Sequence, residues 1–282
     1  MIAVDWGTSS LRAYRMEGAV IRERVALPHG ILHLPGSFAE TLQDAIGPWL
    51  AQDPCVLMSG MVGSRQGWVE APYLPCPAGV AALAGAVVRV PFAAAVVLLV
   101  PGLVDRAGVP EVMRGEETEL FGVMPEGLAC LPGTHTKWVR MDGGQVQRFS
   151  THMTGEVFAA LRNHTILGRL MQDGPHDAAA FARGVRRAGE AGGLLHHLFG
   201  VRTLALMDQL APAAGTSYLS GLLLGHEIIH AAPDGPVTLI GAPALCDRYA
   251  EALALLGHAS VSAAPDAAAR GLAAIGALAP WN

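Results

Sequence analysis

The segment Asp5-Trp6-Gly7-Thr8-Ser9-Ser10 closes a short apolar run, Ile2-Ala3-Val4. A carboxylate at a strand end can hold Mg²⁺, directly or through water. A Gly-Thr-Ser turn offers backbone N–H groups and hydroxyls to phosphate oxygens. Gly133-Thr134-His135-Thr136-Lys137 is a second turn of this kind, and it adds an imidazole and an ammonium. Lys137 or His135 can offset charge on a transferring phosphoryl group. Taken singly, either turn is also what an ordinary polar hairpin looks like. Two of them facing each other across a cleft could grip the β- and γ-phosphates of a nucleotide. Neither G-x-x-x-x-G-K-[ST] nor G-x-G-x-x-G occurs, so the Walker loop and the dinucleotide fingerprint are excluded.

Met113-Arg114-Gly115-Glu116-Glu117-Thr118-Glu119 places three carboxylates around a helix start. Acidic residues favour a helix's first turn for dipole reasons alone. A base must take the proton of an acceptor hydroxyl, and Glu116 and Glu117, nearest the glycine turn, suit that task. Glu119 is expected on the helix surface. Gly63-Ser64-Arg65-Gln66-Gly67-Trp68 follows an apolar run. Arg65 suits a substrate carboxylate, Gln66 lies beside it, and Trp68 can stack on a sugar or serve as core. Thr151 to Glu156 leads into a helix N-terminus, where Thr154 and Glu156 could meet a ligand. Gly241-Ala242-Pro243 closes another strand with small residues that let a flat ring approach.

His226-Glu227-Ile228-Ile229-His230 matches H-E-x-x-H on a helical stretch, which raises a zinc hydrolase as an alternative. Pro233-Asp234-Gly235 ends the helix, and a third ligand would have to be Glu251 or His258. The pair His196-His197 is expected at the surface.

The elements that must position these groups are legible in outline. Ile2 to Met16 reads as strand, turn, strand, with a third strand over Val20 to Leu27. Ser37-Phe38-Ala39-Glu40 is a capping box that starts a helix running to Leu50. Cys55 to Met58, Ala95 to Val100 and Val237 to Gly241 read as buried strands. Ala129 to Gly143 repeats the opening: Gly7-Thr8 matches Gly133-Thr134, and Arg15-Met16-Glu17-Gly18 matches Arg140-Met141-Asp142-Gly143 with one residue of slip. This argues for two related halves. Later helices are expected over Thr154–Asn163, Asp177–Ala191, Thr203–Leu210, Ser217–Ala231 and Ala244–Leu256, and Asp266 should cap a last one. Alternating strands and helices in both halves indicate α/β layers.

With 282 residues, 51% hydrophobic and 15% charged, the chain is not of the disordered class. A net charge of −5 argues against a general nucleic-acid binder. The apolar stretch from Val80 to Val104 is broken by Arg89, Pro91 and Pro101, short of the roughly 20 residues of a membrane span, and is expected as buried strands. The start of the chain has no basic or apolar leader, and the four cysteines form no C-x-x-C. A cytoplasmic protein with reduced thiols is expected, with no nucleic-acid or membrane partner.

Two Gly-Thr hairpins, an acidic turn between them and a late Gly-x-x strand end together resemble the sugar kinase/actin-like ATPase superfamily. Five blocks narrow the likeness: Ala3 to Arg12, Gly60 to Trp68, Met113 to Thr118, Leu131 to Trp138 and Met153 to Glu156. They resemble, in this order and over essentially the whole chain, the 2-dehydro-3-deoxygalactonokinases. The resemblance implies an α/β fold of two ribonuclease H-like lobes with a nucleotide and substrate cleft between them, residues 1–125 and 126–282. The helix near 266–279 could pack back on the first lobe. It implies ATP-dependent, Mg²⁺-assisted phosphorylation of the 6-hydroxyl of 2-dehydro-3-deoxy-D-galactonate in galactonate catabolism. On that reading Asp5 meets the metal. Gly7, Thr8, Ser9, Ser10, Gly133, Thr134, His135, Gly241 and Ala242 meet the nucleotide. Glu117 or Glu116 is the base and Lys137 offsets charge. Arg65, Gln66, Trp68, Thr154 and Glu156 meet the sugar acid. Arg114-Gly115-Glu116-Glu117 also looks like the acidic turn of exopolyphosphatases, which keeps a phosphatase on the same fold as an alternative. One departure is Leu131-Pro132, where many superfamily members carry an acidic residue; this moves the expected base to the Glu116-Glu117 turn. Oligomeric state is not legible, and a homodimer stays open.

Overall fold

In a computed structural model, residues 1–281 are described, and the chain divides into two units. Unit 1 comprises Met1–Glu126, Val139–Phe149 and the end of the chain from Ala264; unit 2 comprises Gly127–Trp138 and Ser150–Ala263.

Unit 1 is built on β1 (Ile2–Trp6), a strand buried on both faces. β2 (Leu11–Glu17) and β3 (Val20–Leu27) follow antiparallel, and β4 (Cys55–Ser59) lies parallel on β1's other side. Helix α1 (Phe38–Leu50) starts at the expected capping box: Ser37 Oγ accepts the Glu40 N–H, and Glu40 returns its carboxylate to the Ser37 N–H. Its buried face, with Leu42 and Ile46, packs with Trp6, Leu11 and Met58 in one apolar core. Such fully buried side chains each stabilise by about 1.5–3 kcal/mol.

The Val80–Val104 stretch is not strand throughout. Short strands β5 (Tyr73–Pro75) and β6 (Ala78–Gly79) lead into α2 (Val80–Gly85). Only then come β7 (Val88–Val90), β8 (Val96–Leu99) and β9 (Gly102–Asp105). The alanines of α2 favour helix, and Leu83 and Ala84 supply its buried side. β10 (Glu111–Met113) precedes α3 (Glu116–Val123). The sheets of this part have the orders β3-β2-β1-β4-β8-β7 and β10-β9-β5.

The second half opens with β11 (Gly127–Leu131), β12 (Thr136–Asp142) and β13 (Gln145–His152). Five helices follow, α4 (Thr154–His164), α5 (Ala178–Ala188), α6 (Gly193–Leu206), α7 (Gly215–Ala231) and α8 (Pro243–Leu255), with β14 (Val237–Leu239) before α8 and β15 (Ser260–Ser262) after it. The third sheet reads β15-β14-β11-β12-β13-β6, and the division into units runs through β12 and β13. The orders β3-β2-β1-β4-β8 and β13-β12-β11-β14-β15 correspond strand for strand. The repeat seen in the sequence is therefore a repeat of topology.

Two expectations for the helices change. α6 starts at Gly193, ten residues before Thr203, because Gly192 and Gly193 turn the chain at positive φ instead of ending a helix. From there His197, Leu198 and Val201 bury one face. Asp266 does not cap α9 (Ala267–Gly276) through its side chain; its carboxylate pairs with Arg24 at 3.3 Å. α9 belongs to unit 1 and packs tightly on α3. A methyl group on Gly271 would lie 1.8 Å from the Thr118 carbonyl oxygen, so only glycine fits there. No helix among the described residues is long and apolar enough to cross a membrane.

Candidate functional site

In unit 1 the chemistry gathers at the carboxyl ends of β1 and β4. Asp5 pairs across the ladder with Ser59. The Gly7–Ser10 turn is closed by the Gly7 N–H on the Ser10 carbonyl at 2.9 Å, and Ile31 N–H backs it on the Gly7 carbonyl at 3.1 Å. Thr8 and Ser9 are exposed. Asp5 is mostly buried, with Arg12 Nη1 at 3.6 Å. Burial raises its pKa, Arg12 opposes that, and the Glu116 charge adds to it.

The start of α3 folds its acids back on its own turn. Glu117 is fully buried, and both its oxygens accept the Gly115 N–H at 2.8 and 2.9 Å. Burial, then repulsion from Glu116, pushes its pKa up to about 8. Glu116 Oε2 accepts the Arg114 N–H at 3.0 Å, and the residue is only half-buried. The Thr118 hydroxyl donates to the Gly115 carbonyl and meets Ser59 Oγ at 3.4 Å, tying α3 to β4. Glu119 departs from expectation. It is half-buried, and burial followed by the charges of Asp5 and Glu116 raises its pKa to about 8.

The loop after β4 is less convergent. Arg65 is exposed and held by Glu70 at 3.1 Å, and Gln66 is exposed. Trp68 stacks on Phe38 at 6.1 Å and packs edge-on with Phe92 at 6.2 Å, on the flank of the core. Arg114, which sequence reasoning left without a role, is buried, donates to the Ala71 carbonyl at 2.8 Å and lies 4.3 Å from the Tyr73 ring centroid.

In unit 2 the second Gly-Thr turn is clamped by α4. Glu156 N–H donates to the Thr134 carbonyl at 3.0 Å, and His135 Nε2 lies 2.5 Å from Glu156 Oε2. A methyl group on Gly155 would stand 2.5 Å from the Gly133 oxygen, so this approach needs glycine. Lys137 is buried and its Nζ donates to the His135 carbonyl at 3.1 Å, shaping the turn from below. Gly241 (φ +150°) and Ala242 are exposed where β14 gives way to α8.

Beside this turn lies a cavity of about 130 Å³. Gly133, Thr154, Phe158, Leu223, Leu245 and Arg248 are among its walls. Most of these were missed in the sequence. The available signal was helical spacing, since Leu245 and Arg248 on α8 recur at i, i+3 and so share a face. Gly241 and Ala242 are not among the residues lining it.

The H-E-x-x-H motif does not assemble a metal site. His197, expected at the surface, is fully buried; its Nε2–H donates to the Ala191 carbonyl, so its Nδ1 accepts from His226 Nε2 at 3.0 Å. Glu227 turns inward to Trp138 and Tyr249, and His230 sits against His152 with ring centroids 6.0 Å apart. Among the described residues no three His, Cys, Asp or Glu side chains converge as a metal site. Mg²⁺ carried on nucleotide phosphates needs only one or two protein carboxylates. The hard oxygen donors at Asp5 and α3, with pKa values raised by burial and mutual repulsion, suit such an ion.

Comparison with known proteins follows the same lines. A family model described as 2-keto-3-deoxy-galactonokinase matches residues 5–275. The 2-dehydro-3-deoxygalactonokinase of Escherichia coli is 35% identical over 276 residues, covering 95% of this chain and 94% of the relative. A crystal structure from Sinorhizobium meliloti, of a protein assigned as a 2-dehydro-3-deoxygalactonokinase, superposes with a TM-score of 0.89 at 36% identity, over 98% of this chain and 95% of that one. At the level of fold alone, the activator of 2-hydroxyisocaproyl-CoA dehydratase from Clostridium difficile, solved with ADPNP, matches with a TM-score of 0.51 at 10% identity, over 98% and 93% of the two chains.

Proposed function

The chain belongs to the 2-keto-3-deoxy-galactonokinase family, and on that premise we propose that it transfers the γ-phosphoryl group of ATP to the 6-hydroxyl of 2-dehydro-3-deoxy-D-galactonate in galactonate catabolism. The observation that carries the reading is the pairing of chemistries. One Gly-Thr turn sits beside an apolar cavity, and its counterpart sits beside a cluster of acids.

In unit 2, the cavity walls Phe158, Leu223 and Leu245 take the nucleoside, with Gly241 and Ala242 bordering α8. The Gly133–Thr134–His135 turn offers N–H and hydroxyl groups to the phosphates. Lys137, buried beneath that turn, supplies positive charge where phosphate charge develops. His135 is oriented by Glu156. In unit 1, the Gly7–Ser10 turn offers the same donors. Asp5 would hold Mg²⁺, directly or through water, and the ion would offset phosphate charge.

Of the two expected bases, Glu116 is the one with an accessible carboxylate, and it takes the hydroxyl proton. Glu117, enclosed and bound to the Gly115 N–H, shapes the turn from inside. The guanidinium of Arg65, fixed by Glu70 through Nε, keeps its outer edge for the substrate carboxylate, with Gln66 beside it. Trp68 supports this loop from the core side. Thr154 acts on the nucleotide side, where it lines the cavity. Catalysis on this scheme is positioning plus electrostatics.

The test is an ATP-consumption assay over a panel of 2-keto-3-deoxy sugar acids, with ³¹P and ¹³C NMR locating the new phosphoester. Turnover that needs the galacto acid and yields the 6-phosphate is the expected result. Phosphate release from ATP with no sugar requirement would replace the kinase by a phosphatase.

A further inference from the structure

We propose that Glu227, the acid of the H-E-x-x-H motif, is a positioning residue whose carboxylate sets the spacing between the Gly133–Lys137 turn and the neighbouring cavity, and so governs nucleotide affinity without touching the nucleotide. The proposal rests on the nucleotide-binding role given to unit 2 above.

Glu227 projects from the C-terminal third of α7 into the interior and is 4% exposed. Three side chains from three other elements donate to it. Trp138 Nε1–H of β12 donates to Oε1 at 2.8 Å. The Tyr249 hydroxyl of α8 donates to Oε2 at 3.0 Å. The Thr154 hydroxyl, at the first residue of α4, bonds to the same carboxylate. Because the Tyr249 proton points at Glu227, the 2.7 Å contact between Tyr249 and Thr136 must be a donation from Thr136. Thr136 is fully buried in the strand that continues the Gly-Thr turn.

The consequence is geometric. The cavity is lined by Gly133 of the turn, Thr154 and Gly155 of α4, and Arg248 and Tyr249 of α8. Each of these three elements is bonded to Glu227 directly or through one hydroxyl. A single carboxylate therefore fixes how far the phosphate-binding turn lies from the wall of the nucleoside cavity. A carboxylate suits this hub, because its two oxygens accept several bonds and donate none. Burial raises its pKa, while the bonds from Thr154, Trp138 and Tyr249 hold it down.

Glu227→Gln keeps the shape and reverses one bond. The new amide N–H faces a donor, so either Tyr249 turns its proton toward Thr136, displacing the Thr136 proton, or Trp138 loses its acceptor. Thr136→Val removes the turn's link to Tyr249 and serves as an independent second variant. His226→Gln, next in sequence but outside the network, controls for disturbance of α7. The readouts are the Kd for ADP by calorimetry, KM for MgATP and for the sugar acid, and the melting temperature. Hydrogen bonds to a charged group are strong enough that Glu227→Gln should raise the Kd for ADP about tenfold or more. Thr136→Val should raise it by a smaller factor. The sugar-acid KM should stay within about twofold, and His226→Gln should leave the ADP Kd unchanged. ADP binding by both Glu227→Gln and Thr136→Val at the wild-type Kd would overturn the proposal, as would a parallel rise in both KM values. If the wild-type protein bound no adenine nucleotide, the kinase reading would fall first and take this inference with it.

Discussion

Glu116 and Glu117 are neighbours in sequence with carboxylates in different surroundings. Glu117 spends both oxygens on the Gly115 N–H inside the protein, whereas Glu116 keeps an accessible side. A general base contributes about 10²–10⁴-fold to rate, so Glu116→Gln should lower kcat by that order with little change in either KM. Glu117→Gln retains an acceptor for the Gly115 N–H and should keep kcat within about tenfold. Steady-state kinetics on the two variants check this, and the opposite ranking would move the base to Glu117. At this scale the sequence was informative wherever chemistry is local. The Asp5 turn, the Gly133 turn and the acidic turn were all visible as residue types at short spacing. It was uninformative wherever burial decides. Glu119 lies half-buried under the influence of Asp5, and His197 lies fully buried against His226. Both outcomes depend on what packs above the residue, which no local pattern encodes.

The unit that makes the second turn usable is the pair formed by the β11–β12 connection and the N-terminus of α4. Gly155 is its contact point. A methyl there would fall 2.5 Å from the Gly133 oxygen and 2.8 Å from the Thr134 Cα, both backbone atoms that cannot yield separately. Gly155→Ala must push α4 off the turn and break the Glu156 N–H to Thr134 bond. We expect kcat/KM for MgATP to fall at least tenfold, with a stability loss of about 1–3 kcal/mol, typical of overpacking. Kinetics and urea unfolding measure the two, and wild-type kcat/KM would show that the clamp is dispensable. Element starts were legible where they carry side-chain signals, as in the capping box of α1. They were hidden where backbone conformation does the work, as at Gly192 and Gly193 before α6.

Across the whole molecule, buried acids set how stability answers to pH. Asp5, Glu117 and Glu119 in unit 1 and Glu227 in unit 2 all have raised pKa values, those of Glu117 and Glu119 reaching about 8. A carboxyl with a raised pKa keeps its proton in the folded chain at a pH where the unfolded chain has released it. The folded state then binds more protons, so stability falls as pH rises from the unfolded value of about 4.5 toward 8. Each such group weighs up to about 1.4 kcal/mol per pH unit within that window. Four groups act in the other direction: the exposed Glu23 and Glu40, lowered first by bonds from Arg15 and from the Ser37 N–H, together with His226 and Asp105. Burial first, then electrostatic repulsion from His197 when both rings take up protons, lowers the pKa of His226, so its contribution is lost as pH falls below 6.5. Burial pushes Asp105 up, but bonds from the Ala107 N–H, Arg148 and the Phe149 N–H outweigh it, and that contribution is lost only at lower pH still. The net slope from about pH 5 to 8 should therefore be downward, flattening above 8, where the principal acids have ionised in both states. Melting temperatures without nucleotide at five pH values across this range measure it. Glu117→Gln removes one proton from the balance, so its slope should be shallower than wild type and its melting temperature higher at pH 8. Parallel wild-type and variant curves would mean that Glu117 is already ionised in the folded chain at pH 7, and its assignment as an enclosed, turn-shaping acid would give way to that of a charged one.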